Sequence, residues 1–277
     1  MLREWTRGET AKLLRVPTAD DDKYSRGVVA LRTGSEMYPG AAVLGVTAAW
    51  RAGAGYVLYT GDARDAVRAA RPETVARPDV GRTRVGAWVI GSGTEASQRS
   101  AQERSALEQI LNGSAPVVVD AGALDLAVDA SAPRILTPHA GELAGLREHL
   151  RLAPADLSQE DQRVAALVET AERVDACVLL KGARTLVAVP GEAVIAVGNG
   201  PAWLSTAGTG DVLAGVIGAV LAANPDRSLA AVAAAAAWWH GEAAGLAAGA
   251  VDGAAGHPIV ALDVAQALPA AYAQLRP

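Results

Sequence analysis

The sequence predicts an α/β fold in which a central, mostly parallel β-sheet is covered by helices on both faces. Short apolar runs typical of strands alternate with stretches of helical periodicity, which is the order found in βαβ units. The strand-like runs are continuously apolar in their centres, as expected of strands that are buried on both sides. No linker, repeat or charge run divides the 277 residues, so we expect one domain over residues 1–277.

Several strand-like runs end in glycine, aspartate or lysine. They are Gly27–Ser35, Gly55–Asp62, Gly86–Gly93, Pro116–Gly122, Arg134–Glu142 and Ala176–Ala183. Helical patterns lie between them, roughly at Ala41–Ala52, Ala96–Leu111, Gly141–Leu150 and Glu160–Arg173. Parallel strands end at a common edge, and ligands bind at that edge of such sheets. The residues expected there are Gly34, Gly91 to Gly93, Asp120, His139 and Lys181.

The pattern changes after Lys181. The next residues, Thr185 to Asn199, read as a β-hairpin with Pro190-Gly191 as its turn. A glycine-rich loop and an alanine-rich helical third follow. The first helix of this third places its larger apolar side chains on one face and ends at Asn224-Pro225. We therefore expect this region to pack against the sheet as part of the same domain.

Composition and charge exclude several classes of protein. The net charge of −5 and the pI near 5.4 argue against a nucleic-acid-binding surface. The longest uncharged apolar stretches, Val212–Ala223 and Leu229–Trp239, are too short to cross a bilayer, which needs about 20 residues. The charged beginning of the chain is unlike a signal peptide. A single cysteine, Cys177, rules out an internal disulfide framework. We expect a soluble, cytoplasmic protein.

One segment resembles a dinucleotide-binding fingerprint. Gly91, Gly93 and Ala96 give the spacing G-x-G-x-x-A after a strand, and Asp120 follows the next strand, where an acidic residue could hold a ribose hydroxyl. Any tight turn from a parallel strand to a helix favours glycine, so the match also fits a structural role. A Rossmann dehydrogenase is therefore one alternative, although it leaves the later glycine-rich loop unexplained.

That loop, STAGTGDVLAG, spans Ser205–Gly215 and leads into a helix. Free backbone N–H groups and the positive end of a helix favour a bound phosphate at such a position. No lysine follows the Walker A spacing, so phosphate binding would rely on the backbone. Asp211 directly follows the glycines of this stretch. It is either a helix cap or a general base that removes the proton of a substrate hydroxyl.

Two other segments carry candidate binding residues. Lys181 follows a buried strand, and it is one of only three lysines in a chain that otherwise uses arginine, so it is a surface charge or a phosphate contact. His139 precedes a helix whose first turn contains Glu142, a residue that the helix dipole also favours. No spacing of ligands indicates a metal site, and Glu142 is the only candidate metal ligand.

Taken in order, these segments resemble the ADP/ATP-dependent NAD(P)H-hydrate dehydratases of the ribokinase-like superfamily, over nearly the whole chain. The matching motifs are YPGAAVLGVTAAWRAGAGYV (Tyr38–Val57), VIGSG, VVVDAGAL (Val117–Leu124), LTPHAGEL (Leu136–Leu143), LLKGART, GPAWLSTAGTGDVLAGVIGAVLA (Gly200–Ala222) and HG (His240, Gly241). Enzymes of this family remove water from the hydrated nicotinamide ring of NADH or NADPH, of S configuration, and consume the terminal phosphate of a nucleotide. From this resemblance we expect a dehydratase domain without the epimerase domain that is fused to some relatives.

The resemblance implies a role for each candidate residue. Asp211 would activate the ring hydroxyl as the catalytic residue, and the transferred phosphate would lie in the anion hole of Gly208, Thr209 and Gly210. The nucleotide would contact Gly210 and the segment Lys181, Gly182, Ala183, Arg184 and Thr185. The hydrated cofactor would contact Ala41, Gly93, His139 and Asp211.

The resemblance also implies ADP or ATP with Mg²⁺ as cofactors, a separate epimerase as a functional partner, and a homo-oligomer. Two departures from the family pattern stand out: GSGTE replaces a G-P-G-L-G-like turn at Gly91–Glu95, and Gly122 stands where aspartate is common. Two alternatives share the glycine-rich loop. One is a ribokinase-like kinase of a thiazole or pyrimidine alcohol, and the other is a nucleotide sensor without activity.

Overall fold

The computed structural model describes residues 2–250 and 253–276, and these residues form one ten-stranded sheet with helices on both faces. The strands are β1 Leu2–Glu4, β2 Val28–Arg32, β3 Tyr56–Tyr59, β4 Val75–Ala76, β5 Ala87–Ile90, β6 Val117–Val119, β7 Arg134–Leu136, β8 Cys177–Leu180, β9 Thr185–Ala188 and β10 Val194–Val197. The α-helices are α1 Arg7–Leu13, α2 Pro39–Arg51, α3 Arg64–Ala70, α4 Ala101–Leu111, α5 Ala140–His149, α6 Glu160–Val174, α7 Thr209–Ala223, α8 Leu229–Ala248 and α9 Ala261–Leu275. Short 3₁₀ segments cover Ala96–Gln98, Ala121–Ala127 and Ala202–Leu204.

The sheet has the strand order β1-β10-β9-β8-β7-β6-β5-β2-β3-β4. Every neighbouring pair is parallel except the two pairs that involve β9. The predicted hairpin is therefore confirmed as β9–β10, with Val187 opposite Ile195. The predicted α/β class with a mostly parallel sheet is confirmed as well. The edge strand β1 joins the hairpin and was not predicted, because three residues are too few to show a period.

Alternating residues of each strand enter different cores, because successive side chains of a strand point to opposite faces. In β6, Val118 packs with α7 and α8 on one face, whereas Val117 and Val119 pack with α4, α5 and α6 on the other. In β8, likewise, Cys177 and Leu179 belong to the first core, and Val178 and Leu180 belong to the second. Helices thus cover both faces, as the continuous apolar runs predicted.

Helix α7 is buried almost all round, which the one-sided apolar pattern did not predict. Residues 212 to 222 are all buried, because the helix lies between the sheet and helices α2 and α8. The approach to α2 is so close that a Cβ on Gly215 would overlap the carbonyl oxygen of Gly45. Small residues are therefore required where the two backbones meet.

The prediction of one helix over Ala96–Leu111 was partly wrong. A 3₁₀ turn ends at Gln98, and α4 begins at Ala101. The hydroxyl of Ser100 accepts a hydrogen bond from the N–H of Glu103, which caps the second helix at its start. The serine offers the chain a local hydrogen bond that ends the first turn and begins the next.

Two further features concern the chain as a whole. Among the described residues, no helix is both long enough and apolar enough to cross a membrane. Cys177 lies in the centre of the sheet and is 1% exposed. Burial raises the pKa of its thiol, because a thiolate would be poorly solvated there. It is thus a small apolar core residue.

Candidate active site at the carboxyl edge of the sheet

The predicted site residues lie at one edge of the sheet. The parallel strands β8, β7, β6, β5 and β2 are consecutive neighbours, so their carboxyl ends form a continuous rim. The direction in which strands are added reverses between β2 and β5, since β3 lies on one side of β2 and β5 lies on the other. Such a switch point opens a crevice for ligands in open α/β sheets.

Ala41 and Gly93, predicted from separate motifs to contact the hydrated cofactor, meet at this switch point. A Cβ on Gly93 would overlap the Cβ of Ala41, and Gly34 lies next to both. The φ angles of Gly34 and Gly93 are +72° and +67°, values that L-residues rarely adopt. The N–H of Gly34 donates to the carbonyl of Ser92 at 2.7 Å and ties the two loops together. The two loops therefore touch each other at this point.

The glycine-rich loop ends in the first turn of α7. Gly208, with φ of +88°, is the residue before the helix, and Thr209, Gly210 and Asp211 are its first three residues. The N–H groups of this turn have no preceding helical carbonyl as acceptor, and Gly208 has no side chain that could accept from them. Together with the positive helix end, they make this turn a candidate phosphate cradle.

This geometry revises the alternatives for Asp211. The residue in the capping position is Gly208, and Asp211 is the third residue of the helix and makes no side-chain capping bond, so the capping role that the sequence left open is wrong. Thr209 and Gly210 belong to the helix and not to the loop. The Thr209 hydroxyl donates to the carbonyls of Leu204 and Thr206, each at 3.0 Å, which anchors the loop against the helix.

A charged network lies beneath this turn. The ammonium of Lys181 donates to Asp120 Oδ1 at 2.7 Å and lies 3.5 Å from Glu142 Oε2. The same Oδ1 accepts from the hydroxyl of Thr137 at 2.8 Å, and Oδ2 accepts from the hydroxyl of Ser92 at 2.9 Å. Asp120 is 3% exposed. Both of its oxygens are engaged by protein donors, so it does not act as the free ribose acceptor of a dinucleotide fingerprint.

Asp211 has an altered proton affinity. Burial raises its pKa to about 6, chiefly because the ionised carboxylate loses solvation, and the negative charge of Asp120 adds to this effect. The ammonium of Lys181 opposes the shift, and Glu142 adds a smaller increase. A carboxylate with a pKa near the working pH is suited to general-base catalysis.

His139 and Glu142 form the N-terminus of α5. Nδ1 of His139 accepts from the N–H of Glu142 at 3.1 Å, and Glu142 Oε2 accepts from the N–H of His139 at 2.7 Å, so the two residues form a reciprocal capping box. The His139 side chain is 60% exposed and lies at the entrance to the neighbouring cavity. It is therefore accessible to a ligand, and its contact with the hydrated cofactor remains a prediction.

That cavity has a volume of about 520 Å³ and lies beside the first turn of α7. Its wall includes most of the predicted nucleotide-binding residues, namely Lys181, Gly182, Ala183, Thr185 and Gly210. Arg184 is the exception, because its guanidinium forms ion pairs with Glu4 and Glu160 and does not line the cavity. Four of the five residues of this segment therefore line the cavity, and Arg184 does not.

Two wall residues carry polar atoms without a partner. Asn199 Oδ1 and His240 Nε2 are buried and unpaired, whereas the amide nitrogen of Asn199 donates to the carbonyl of Trp238 at 2.8 Å. Burial lowers the pKa of His240 to about 4, so its ring is neutral at pH 7. Buried polar atoms without a partner are rare in native structures, and a role in binding is one explanation for them. From the sequence, Asn199 was placed only at the end of the predicted hairpin and was assigned no binding role.

Within residues 2–250 and 253–276, no group of three or more His, Cys, Asp and Glu side chains could enclose a metal ion. Glu142, the candidate ligand, is held by its capping box and by Lys181, and the prediction of a metal there remains a prediction. Three carboxylates, Asp120, Glu142 and Asp211, face one ammonium at this edge. The excess negative charge fits a Mg²⁺ ion that arrives with nucleotide phosphates, since Mg²⁺ binds mainly through phosphates, water and one or two carboxylates.

Comparison with known proteins agrees with this site. The family model of NAD(P)H-hydrate dehydratase matches residues 29–257. The bifunctional NAD(P)H-hydrate repair enzyme Nnr of Corynebacterium glutamicum is 38% identical over 94% of this chain and 49% of its own length. The chain therefore spans about half the length of such bifunctional relatives. The ADP-dependent (S)-NAD(P)H-hydrate dehydratase of Neisseria meningitidis serogroup B is 36% identical, with 84% of each chain covered.

Solved structures show the same relationship. The ADP/ATP-dependent NAD(P)H-hydrate dehydratase of Bacillus subtilis, co-crystallised with ATP/Mg²⁺, matches with a TM-score of 0.83, 25% identity and 99% of both chains covered. A ribokinase from Cryptococcus neoformans shares the fold with a TM-score of 0.57 and 14% identity, over 87% of this chain and 98% of its own. The fold is therefore ribokinase-like. The motif order, the geometry of the carboxyl edge and these matches lead to one conclusion: the chain belongs to the NAD(P)H-hydrate dehydratase family.

Proposed function

We propose that this chain repairs hydrated NADH and NADPH of S configuration, by a dehydration that is coupled to cleavage of ADP to AMP and phosphate. One observation carries the proposal above all others: a partly buried carboxylate, Asp211, stands in the first turn of the helix whose N–H groups form the phosphate cradle. A base and an anion site in such proximity suit the transfer of a phosphoryl group to a hydroxyl.

The proposed reaction begins at the ring hydroxyl. Hydroxide leaves poorly, so the enzyme first converts the hydroxyl into a phosphate ester. Asp211 takes the proton of the ring hydroxyl while the oxygen of that hydroxyl forms a bond to the terminal phosphorus of ADP. The bond from this phosphorus to AMP breaks. Mg²⁺, bound with the nucleotide, would reduce the negative charge of the phosphates.

Elimination then restores the cofactor. The carbon–oxygen bond of the phosphate ester breaks, a proton passes from the adjacent ring carbon to water, and the double bond of the dihydropyridine forms again. Phosphate departs with the bonding electrons that hydroxide would otherwise have carried. The N–H groups of Gly208, Thr209 and Gly210 and the ammonium of Lys181 stabilise the negative charge of the transferred group.

The two sides of the turn receive the two substrates in this proposal. The hydrated ring lies near Ala41, Gly93, His139 and Asp211, where the switch point opens. The nucleotide lies in the cavity of about 520 Å³, along the backbone of residues 181–185 and Gly210. The names of the Neisseria and Bacillus relatives support ADP, with ATP as an alternative donor, and the Bacillus structure supports Mg²⁺.

The wider setting belongs to the same proposal. The bifunctional relatives are about twice as long as this chain, and we expect epimerisation of the hydrate to be performed by a partner or by a segment outside these residues. A homo-oligomer and a cytoplasmic location are also expected, since hydrated nicotinamide cofactors arise where NADH and NADPH are used.

The test is recovery of absorbance at 340 nm from the S-epimer of NADH-hydrate, with Mg²⁺ and either ADP or ATP. Asp211→Asn should reduce the rate by about 10²- to 10⁴-fold, because it removes the base. Asp65→Asn is the matched control, since the Asp65 side chain is 99% exposed on α3 and lies outside the site. A wild-type protein that binds AMP but restores no absorbance with either nucleotide would contradict the proposal and would favour a kinase or a sensor.

A further inference from the structure

We propose that Asp120 is a positioning residue for this reaction: its buried carboxylate holds the Lys181 ammonium beside the first turn of α7 and supplies a negative charge that faces Asp211. The inference rests on the proposed function, since it concerns the same site. The sequence offered Asp120 only as the acidic residue of a dinucleotide fingerprint. The structure gives it different partners.

The carboxylate of Asp120 is held by donors from neighbouring strand ends. Ser92 follows β5, Thr137 follows β7 and Lys181 follows β8, and each donates to Asp120 over 2.7 to 2.9 Å. All of these contacts are buried or nearly so, since Ser92 and Thr137 are 1% exposed. A buried carboxylate without such donors would be strongly disfavoured. These donors thereby hold the Asp120 carboxylate in one orientation.

Lys181 is fixed in turn. Its backbone N–H donates to the carbonyl of Pro138 at 2.8 Å, and its ammonium lies between Asp120 and Glu142. A Cβ on Gly210 would lie 3.5 Å from the ammonium, so the charge touches the phosphate cradle. A free lysine side chain samples many rotamers, with an entropy of about 2 kcal/mol. Asp120 orders this side chain before a nucleotide binds, which is preorganisation of the site.

The same carboxylate acts on Asp211. The charged groups that face Asp211 are Asp120 from the end of β6, Lys181 from the end of β8 and Glu142 from α5. After burial, Asp120 has the largest effect on the pKa of Asp211 and raises it, and this effect exceeds the opposing effect of Lys181. Removing the charge of Asp120 while Lys181 stays in place therefore lowers the pKa of Asp211.

The experiment compares Asp120→Asn with Lys181→Met and with the control Asp125→Asn. Asp125 lies on the 3₁₀ segment that follows Asp120, forms an ion pair with Arg99 and does not face Asp211. Asp125→Asn therefore makes the same chemical change as Asp120→Asn, but outside the network. For each protein, the pH profile of kcat/KM is measured. The ionisation of Asp211 is followed by NMR of ¹³C-labelled aspartate, with Asp211→Asn used for assignment. ADP affinity is measured by calorimetry.

We expect opposite shifts from the two site variants. Asp120→Asn should move the acid limb of the profile and the Asp211 titration to lower pH, whereas Lys181→Met should move both to higher pH. Asp120→Asn should also weaken ADP binding by about tenfold, because a charge-assisted hydrogen bond no longer orders Lys181. Asp125→Asn should change neither property. Ser92→Ala, which removes one donor to Asp120, should weaken ADP binding to a smaller extent and serves if Asp120→Asn does not fold.

A folded Asp120→Asn variant with unchanged Asp211 titration and unchanged ADP affinity would overturn the inference and leave Asp120 a purely structural residue. The outcome is separate from that of the proposed function. If the wild-type protein restores no NADH, the NMR titration and the ADP affinity still decide the role of Asp120. If the wild-type protein does restore NADH, the pH profiles of kcat/KM provide a second, independent test of the role of Asp120.

Discussion

The carbonyl oxygen of Gly45 in α2 lies directly against the Cα of Gly215 in α7, so the two helices meet backbone to backbone. Gly45 also lies near the carbonyl of Asp211, with its ideal Cβ position 3.6 Å away. The contact therefore sets the position of the catalytic turn relative to α2, the helix that carries Ala41. Packing in the core and geometry in the site are coupled at this point.

This contact predicts a strong effect of Gly215→Ala. A methyl group there would overlap the Gly45 carbonyl and approach the Cβ of Ala48 to 2.9 Å, so the helices must separate. We expect a loss of about 1–3 kcal/mol in the free energy of unfolding, measured by urea denaturation. Gly145→Ala is the control, because Gly145 lies in α5 with nothing within 4 Å of its Cβ position. It should stabilise by about 0.5–1 kcal/mol. Equal effects of both changes would contradict the prediction.

The raised pKa of Asp211 predicts that this residue lowers the free energy of unfolding at neutral pH, although the activity depends on it. The pKa of its carboxyl is raised from 3.8 to about 6 on folding, so the folded state binds the proton more tightly than the unfolded state. Stability from this group is therefore present at low pH and is lost as the pH rises through about 6. Asp211→Asn should raise the free energy of unfolding at pH 7.5 by about 1–3 kcal/mol, with little gain at pH 4. A gain that is independent of pH would contradict this assignment.

The activity of the wild-type protein should depend on the same ionisation, but it should rise with pH where the stability falls. A general base works only when it is deprotonated, so kcat/KM should fall as the pH drops below about 6. The measurement is a pH profile at saturating ADP, with a parallel check that the protein stays folded. A profile that stays flat down to pH 5 would exclude Asp211 as the base in its described environment.

His240 predicts an acid-sensitive fold. Its pKa is lowered from 6.5 to about 4 by burial, so its contribution to stability is present above pH 6.5 and is lost as the pH falls towards 4. His240→Gln should remove about 2–3 kcal/mol of the pH dependence of unfolding between these limits. His149→Gln is the control, since His149 is exposed at the end of α5. Thermal unfolding from pH 4 to 7 would give the comparison.

Gly93 predicts a selective defect in substrate binding. A methyl group there would overlap the Cβ of Ala41, at a φ of +67°. We expect Gly93→Ala to raise the KM for the hydrated cofactor about tenfold or more while ADP affinity is unchanged. Gly191→Ala in the β9–β10 turn has a similar φ of +74° and open space around it, so it controls for backbone strain alone. Parallel losses of ADP and cofactor binding would argue against a local role.

The sequence predicted the class of fold and the location of the site because both depend on local patterns. Apolar runs that end in Asp120, His139 and Lys181 mark strand ends, and parallel strand ends meet without further information. The boundary at Gly208 was missed because glycine and threonine fit a loop as well as a helix start. The true start depends on Leu44 and Ala261, which pack around Gly208 from distant helices.

Other features depend on long-range pairing and left no local signal. Arg184 was predicted to bind nucleotide, but its partner Glu4 lies 180 positions earlier in the chain, in β1, which pairs with β10. The pairing of Lys181 with Asp120 joins residues that are 61 positions apart. Neither ion pair can be derived from spacing, because each depends on the order of strands in the sheet.

The buried thiol of Cys177 has a practical consequence. The chain contains no other cysteine, and this one is out of reach of maleimides and other alkylating reagents in the folded protein. Tyr38, 46% exposed at the start of α2, lies beside Gly34 and Gly93 at the switch point of the sheet. A cysteine at that position would react alone and carry a single fluorophore, so that ligand entry could be followed optically in the otherwise unaltered protein.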